Sequence, residues 1–294
     1  MSRFTRIDLS ELPAPDVVEP LDFEAMLAAM KAALLARYPA VDLESEPLVA
    51  LLEVVAYSRM LDRARVNDAA KAVLLAKASG TDLDNIGAFY GAGRLIAIPG
   101  DPDAIPPTVD VYEGDVAYRG RLQLAIEAQS TAGPKGAYLY WALAADGQVL
   151  DASVSSPSPG TVRVVVLAQD GVPGTPLLDK VRGALNAEDV RPLCDTVTVV
   201  AATVVEYAVA AQLTYYAGPD KALVAAAARA AVEAYAAAHF RLGHDITRSG
   251  LFAALHQVGV QNVTLSAPAA NVVLTDSQAP RLTTITLTDG GINV

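Results

Sequence analysis

The chain has 294 residues, 52% of them apolar and 19% charged, which is enough for a sizeable core and incompatible with global disorder. Its 22 Lys and Arg against 33 Asp and Glu leave a net charge of −11, an argument against a protein that neutralises phosphates through basic patches. The single cysteine, Cys194, cannot form an internal disulfide, so a disulfide-built scaffold is excluded and reducing cytoplasm fits.

The mean hydropathy of +0.31 raises the question of membrane spans. The longest low-charge stretch, residues 221–238, holds 11 alanines in 18 residues and is interrupted by Lys221, Arg229 and Glu233. Alanine contributes too little transfer free energy to hold such a helix in a bilayer, so no span is expected. Residues 1–8 lack the apolar run of a secretion signal.

Pro13, Pro15 and Pro20 punctuate an extended leader. Asp22 then caps a helix whose apolar residues Phe23, Met26, Leu27, Met30 and Leu34 recur at helical spacing, with Leu21 and Met26 at hydrophobic-staple positions. Tyr38-Pro39 ends it, because a residue before proline is pushed out of the α region. Ser45-Glu46-Pro47 starts the next helix, with Ser45 as its cap. No glycine or proline follows until Gly80, so a helix of about 32 residues and about 48 Å is expected. Its first half, 48–61, is apolar around most of the circumference, whereas a helix resting on one sheet needs only a stripe. Partners on more than one side are therefore expected, with Leu48, Leu51, Leu52, Val55, Tyr57 and Leu61 as the candidate packing residues. Residues 59–68 are more polar, and a short helix starting at Asp82 ends at Gly91.

Pro99, Pro102, Pro106 and Pro107 mark a breaker-rich boundary between residues 95 and 108. A short helix is expected at 138–145, a loop at 151–160, a β-branched strand at 161–168 and a helix at 176–187. Residues 196–216 alternate, with Val197, Val199, Val205, Tyr207, Val209, Leu213 and Tyr215 on one face. That is long for one strand, so it bridges two sheets or breaks near Ala201-Ala202. After Asp220 come an alanine-rich helix to about Arg241 and a helix at 247–258, then strands at 261–266 and 282–288. Helices mixed with strands, without a regular βαβ rhythm, specify an α+β chain: an N-terminal helical segment with one long helix, then mixed α+β modules with small antiparallel or mixed sheets.

No catalytic constellation emerges. Gly91-Ala-Gly93 follows a helix rather than a strand and reads as a C-cap, and Ala132-Gly-Pro-Lys-Gly136 reads as a turn rather than a phosphate cradle. His239 and His244 are five residues apart, which is wrong for a zinc pair on one helix face, and His256 stands apart. Cys194 reads as a small buried hydrophobe. The pairs Glu44/Glu46 and Asp82/Asp84 sit at helix starts, where carboxylates oppose the dipole. No catalytic residue, metal or cofactor is assigned.

The stretches 43–57, 63–76 and 80–84 (LESEPLVALLEVVAY, RARVNDAAKAVLLA and GTDLD) resemble the baseplate J-like protein family of contractile-tailed phages and phage-tail-like bacteriocins. The stretches 132–138, 149–153, 187–193 and 245–251 (AGPKGAY, VLDAS, AEDVRPL and DITRSGL) resemble it too, in order along nearly the whole chain. The resemblance implies a structural wedge subunit in the baseplate of a virion or tail-like particle, made and assembled in the bacterial cytoplasm. Two copies would join another baseplate wedge protein, of the protein I type, through a helical bundle. Neighbouring wedges would close a sixfold ring around the central spike and hub, next to the sheath initiator. It further implies a bundle domain over 1–95, a middle domain over 96–160, an α+β module over 161–210 and a ring-contact module over 211–294. Hinges are expected at 99–107 and 153–160. The competing readings are a hydrolase-like accessory tail protein using Ser or Asp in loops after residue 108, and a nucleic-acid adaptor, which the net charge opposes.

Overall fold

A computed structural model describes residue 9 and residues 12–39, 47–130, 133–218 and 220–293. The chain forms two compact units: one takes the chain up to Arg94 together with Tyr118–Leu122, the other Leu95–Ala117 and the chain from Gln123 onward.

The first unit is helical. Helix α1, Phe23–Arg37, begins where the Asp22 carboxylate accepts the Ala25 N–H at 3.0 Å, and it ends with Tyr38 as C-cap, as the Tyr-Pro pair requires. Helix α2 spans Pro47–Ala72, about 39 Å of helix. The expected cap Ser45 and the pair Glu44/Glu46 lie outside the described residues. Met26 and Leu27 of α1 bury against Ala56 of α2, with Phe23, Met30, Leu52 and Met60 half-buried around them. Helix α3 spans Gly80–Phe89. Its end is a Schellman motif: Gly91, at φ +67, donates to Ala88 O and Ala92 donates to Gly87 O. From helix α4, Asp115–Ala125, the fully buried Tyr118 belongs to this unit and donates its hydroxyl to Ala92 O at 2.6 Å. Gly87 lies so close that a Cβ there would sit 1.7 Å from the Tyr118 hydroxyl.

The long helix is thus shorter than the expected 32 residues. The chain leaves α2 after Ala72 in a turn, Leu74 N–H donating to Lys71 O. Arg119 holds the connection beyond that turn by donating to Leu75 O at 2.7 Å and Ala78 O at 2.6 Å. No glycine or proline marks the end of the helix, and a guanidinium from far along the sequence instead pins the connection that follows it.

The second unit carries three small sheets. Strands β1, Ile96–Ile98, and β2, Val111–Tyr112, pair antiparallel on either side of the proline-rich stretch. Helix α5, Lys135–Ala144, leads into strands β3, Val149–Ser158, and β4, Thr161–Ala168, which form an antiparallel hairpin. Helix α6, Thr175–Leu185, then returns the chain to β5, Thr196–Ala201, parallel to β4, so the order is β3-β4-β5. The expected loop at 151–160 and hinge at 153–160 are therefore corrected. Serines and a proline favour turns, but β4 supplies a full ladder of partners from Asp151 to Ser155. Only the Gly160 turn, at φ +73, matches the expectation.

The alternation over 196–216 does both things expected of it. It breaks at the buried Ala202, and its halves lie in different sheets, since β6, Thr203–Tyr215, is the centre of the order β7-β6-β8. Strands β7, Val260–Ala267, and β8, Gln278–Ile292, flank it, antiparallel and parallel respectively. Pro280 is tolerated because β8 is an edge strand. Helix α7, Lys221–His239, capped by Asp220, and helix α8, Arg248–Leu255, capped by Thr247, cover one face. There Tyr207, Val209, Leu213 and Tyr215 meet Val224, Val232, Leu251 and Leu255 in one core. The expected division at 160/161 falls in the β3–β4 turn, and that at 210/211 falls inside β6.

Candidate subunit interface

Helix α2 presents two kinds of apolar surface. Val49 and Ala56 are buried, Leu52 and Met60 half-buried, and the buried Asn67 continues the same seam at 3–4 residue spacing. This seam faces α1. Of the six candidate packing residues, Leu52 therefore packs within the chain itself. The other five, Leu48, Leu51, Val55, Tyr57 and Leu61, are exposed, as are Val54 and Val66. Leu51 keeps 59%, Val54 66% and Tyr57 54% of their surface accessible, far more than a helix on a closed core needs. The residues lie over the arc of α2 that α1 leaves open, so the helix has an apolar face with no cover in its own chain among the described residues.

The polar middle of α2 holds the leader in place. The Asn67 amide donates to Glu19 O at 2.7 Å and accepts the Glu19 N–H at 3.0 Å. Arg63 pairs with the Glu19 carboxylate at 2.7 Å and reaches Pro20 O at 3.3 Å. These bonds fix the residues before α1 against α2. The sequence pointed only to a polar stretch there, and no local signal marked Asn67 as a buried anchor.

The titratable residues singled out in the sequence serve structure. Asp82 lies in the first turn of α3, while Asp84 pairs with Arg94 at 2.7 Å rather than capping the helix. Cys194 is exposed in the turn before β5, which corrects the expectation of a buried hydrophobe. Gly133 has a left-handed backbone at φ +66, and Lys135 and Gly136 already belong to α5; Ala132 lies outside the described residues. His239 ends α7 with its Nδ1 2.8 Å from Tyr235 O, and its ring centroid lies 5.9 Å from that of His244. Burial pulls His244 below the usual histidine pKa; Asp151 and Asp245 oppose this, while His239 and Arg241 reinforce it. Burial, with Tyr235 nearby, pushes Tyr207 up to about 12. Among the described residues, no three His, Cys, Asp or Glu side chains gather closely enough to hold a metal. No helix there is long and apolar enough to cross a membrane.

Comparison with known proteins places these features. Residues 44–101, which hold α2 and α3, match the baseplate J-like N-terminal domain. Residues 130–201 match the baseplate J-like central domain, and residues 207–288 the baseplate J-like protein C-terminal domain. The chain is 51% identical over 296 residues to "Baseplate protein J" of Escherichia phage P2, covering 97% of this chain and 98% of that protein.

Proposed function

The chain belongs to the baseplate J-like family, and from that premise we propose that it is a wedge subunit whose α2 helix joins a bundle of helices from other chains. It is a structural component of a phage-tail baseplate, located in the virion tail. We read its role as assembly and not catalysis, with no cofactor. The observation that carries the bundle reading is the apolar arc of α2: Leu48, Leu51, Val55, Tyr57 and Leu61 are exposed in the single chain, although they sit inside a segment that matches the family. Burying side chains of this size is worth roughly 1.5–3 kcal/mol each, so such an arc favours association.

The partners in this reading are a second copy of the chain and another wedge protein of the protein I type, whose helices cover the arc together. Residues 1–95 act as the bundle portion. The C-terminal portion supplies contacts to neighbouring wedges in a ring around the spike and hub, near the sheath initiator. Electron microscopy of intact particles tests this. Two copies per wedge, with both α2 helices against a third helix from a different protein, are expected. A single copy per wedge, or α2 facing solvent, would contradict it.

A further inference from the structure

The family segments 130–201 and 207–288 divide the second unit at residues 202–206, and segments joined by a single strand are expected to move relative to one another unless a sizeable apolar interface prevents it. The residues at this junction point the other way. Strand β4 is buried on both faces: Val164 and Val166 on one, Val165 and Leu167 on the other. Helices α5 and α6 belong to its own module. Among the described residues, however, the cluster on the second face takes in no residue of α5 or α6. Val165 and Leu167 instead share a cluster with Ala202 and Ala279 at the start of the other sheet, joined by Phe240 and Leu242 from the end of α7. A hinge here would expose Val165 and Leu167 to water.

Polar contacts close the same junction. Asp151 and Ser153 of β3 stand opposite Leu167 and Val165 in the ladder, so they lie on the shared face. The buried Asp151 carboxylate accepts the Leu242 N–H at 3.1 Å. Ser153 Oγ donates to Asp276 O at 2.6 Å, and Arg281 donates to Asp170 O at 2.9 Å. The connecting strand is itself tied in, since the Ala202 N–H donates to Val166 O at 2.9 Å.

We propose that the sheets β3-β4-β5 and β7-β6-β8 form one rigid arm, with Asp151 the positioning residue that closes the joint between them. A displacement at the C-terminal sheet is then delivered to the middle sheet and is not absorbed at residues 202–206. The arm is a property of the chain itself and stands whether or not the bundle reading holds.

Native-state hydrogen exchange of the purified full-length protein, read by mass spectrometry across a denaturant series, tests it. In the wild type, β3–β5 and β6–β8 are expected to open together with one denaturant dependence. In Asp151→Ala with Ser153→Ala, the peptide spanning 240–246 is expected to exchange at least about tenfold faster, and the two sheets to separate into two groups. If that double variant does not fold, Asp151→Leu, of similar shape but with no acceptor for the Leu242 N–H, is read for the same acceleration. Two separately opening sheets in the wild type would overturn the proposal. An unchanged 240–246 peptide in the variant that folds would overturn the role of Asp151.

Discussion

Asn67 closes both backbone groups of Glu19, donating to its carbonyl at 2.7 Å and accepting its N–H at 3.0 Å. One amide thereby holds the leader to the middle of α2 as a neighbouring strand would, and at 3% exposure it does so away from solvent.

Replacing Asn67 by Ala should remove both bonds and leave the Glu19 carbonyl and N–H without that partner. A loss of roughly 1–3 kcal/mol in urea unfolding is expected. Limited proteolysis should show earlier cleavage before α1, while Asn67→Gln, too long for the same pair, behaves like the alanine variant.

Gly87→Ala reverses the usual sign of its substitution. In an open helix alanine would gain about 1 kcal/mol over glycine. Here its Cβ would meet the Tyr118 hydroxyl at 1.7 Å and Ala92 O at 2.8 Å, both held by their mutual hydrogen bond. Overpacking of this kind costs roughly 1–3 kcal/mol or more, and a lower melting temperature than wild type checks it.

Stability should fall on acidification through the histidine range. His244 has its pKa lowered by burial, so the unfolded chain takes up a proton there before the folded one does. The stabilising contribution is complete above the ordinary histidine value of about 6.5 and is lost as pH falls toward the lowered one. Urea midpoints measured from pH 7.5 down to 5 should decline, and the His244→Gln decline should be shallower.

Much of this architecture can be read from the residues. The alternation from Val197 to Tyr215 encodes two buried strand faces, and the small pair Ala201-Ala202 marks where the chain changes sheets, because a period of two survives any tertiary context. Strand β3 was hidden because Ser155, Ser156 and Pro157 favour turns locally, while its stability comes from pairing with β4 and from the joint that Asp151 and Ser153 help close. The end of α2 was hidden for a related reason: no glycine or proline marks it, and Arg119, 41 residues beyond Ala78, pins the connection that follows. At the interface, the excess of apolar residues on α2 was legible. Which of them α1 already covers was not, so Leu52 stood beside Leu51 although only Leu51 is left exposed. Cys194 shows the limit of residue type alone, since a turn leaves it in solvent.

The central claim is that the open arc of α2 is where this chain joins its wedge. Leu51→Asp combined with Val55→Asp changes two exposed side chains outside the α1 seam, so the isolated protein should keep its stability to within about 0.5 kcal/mol. The decisive measurement is the amount of this double variant recovered in purified particles when it replaces the wild type. A folded protein absent from particles, with no baseplates formed, is the expected result. Normal baseplates containing the variant at wild-type amounts would contradict the account.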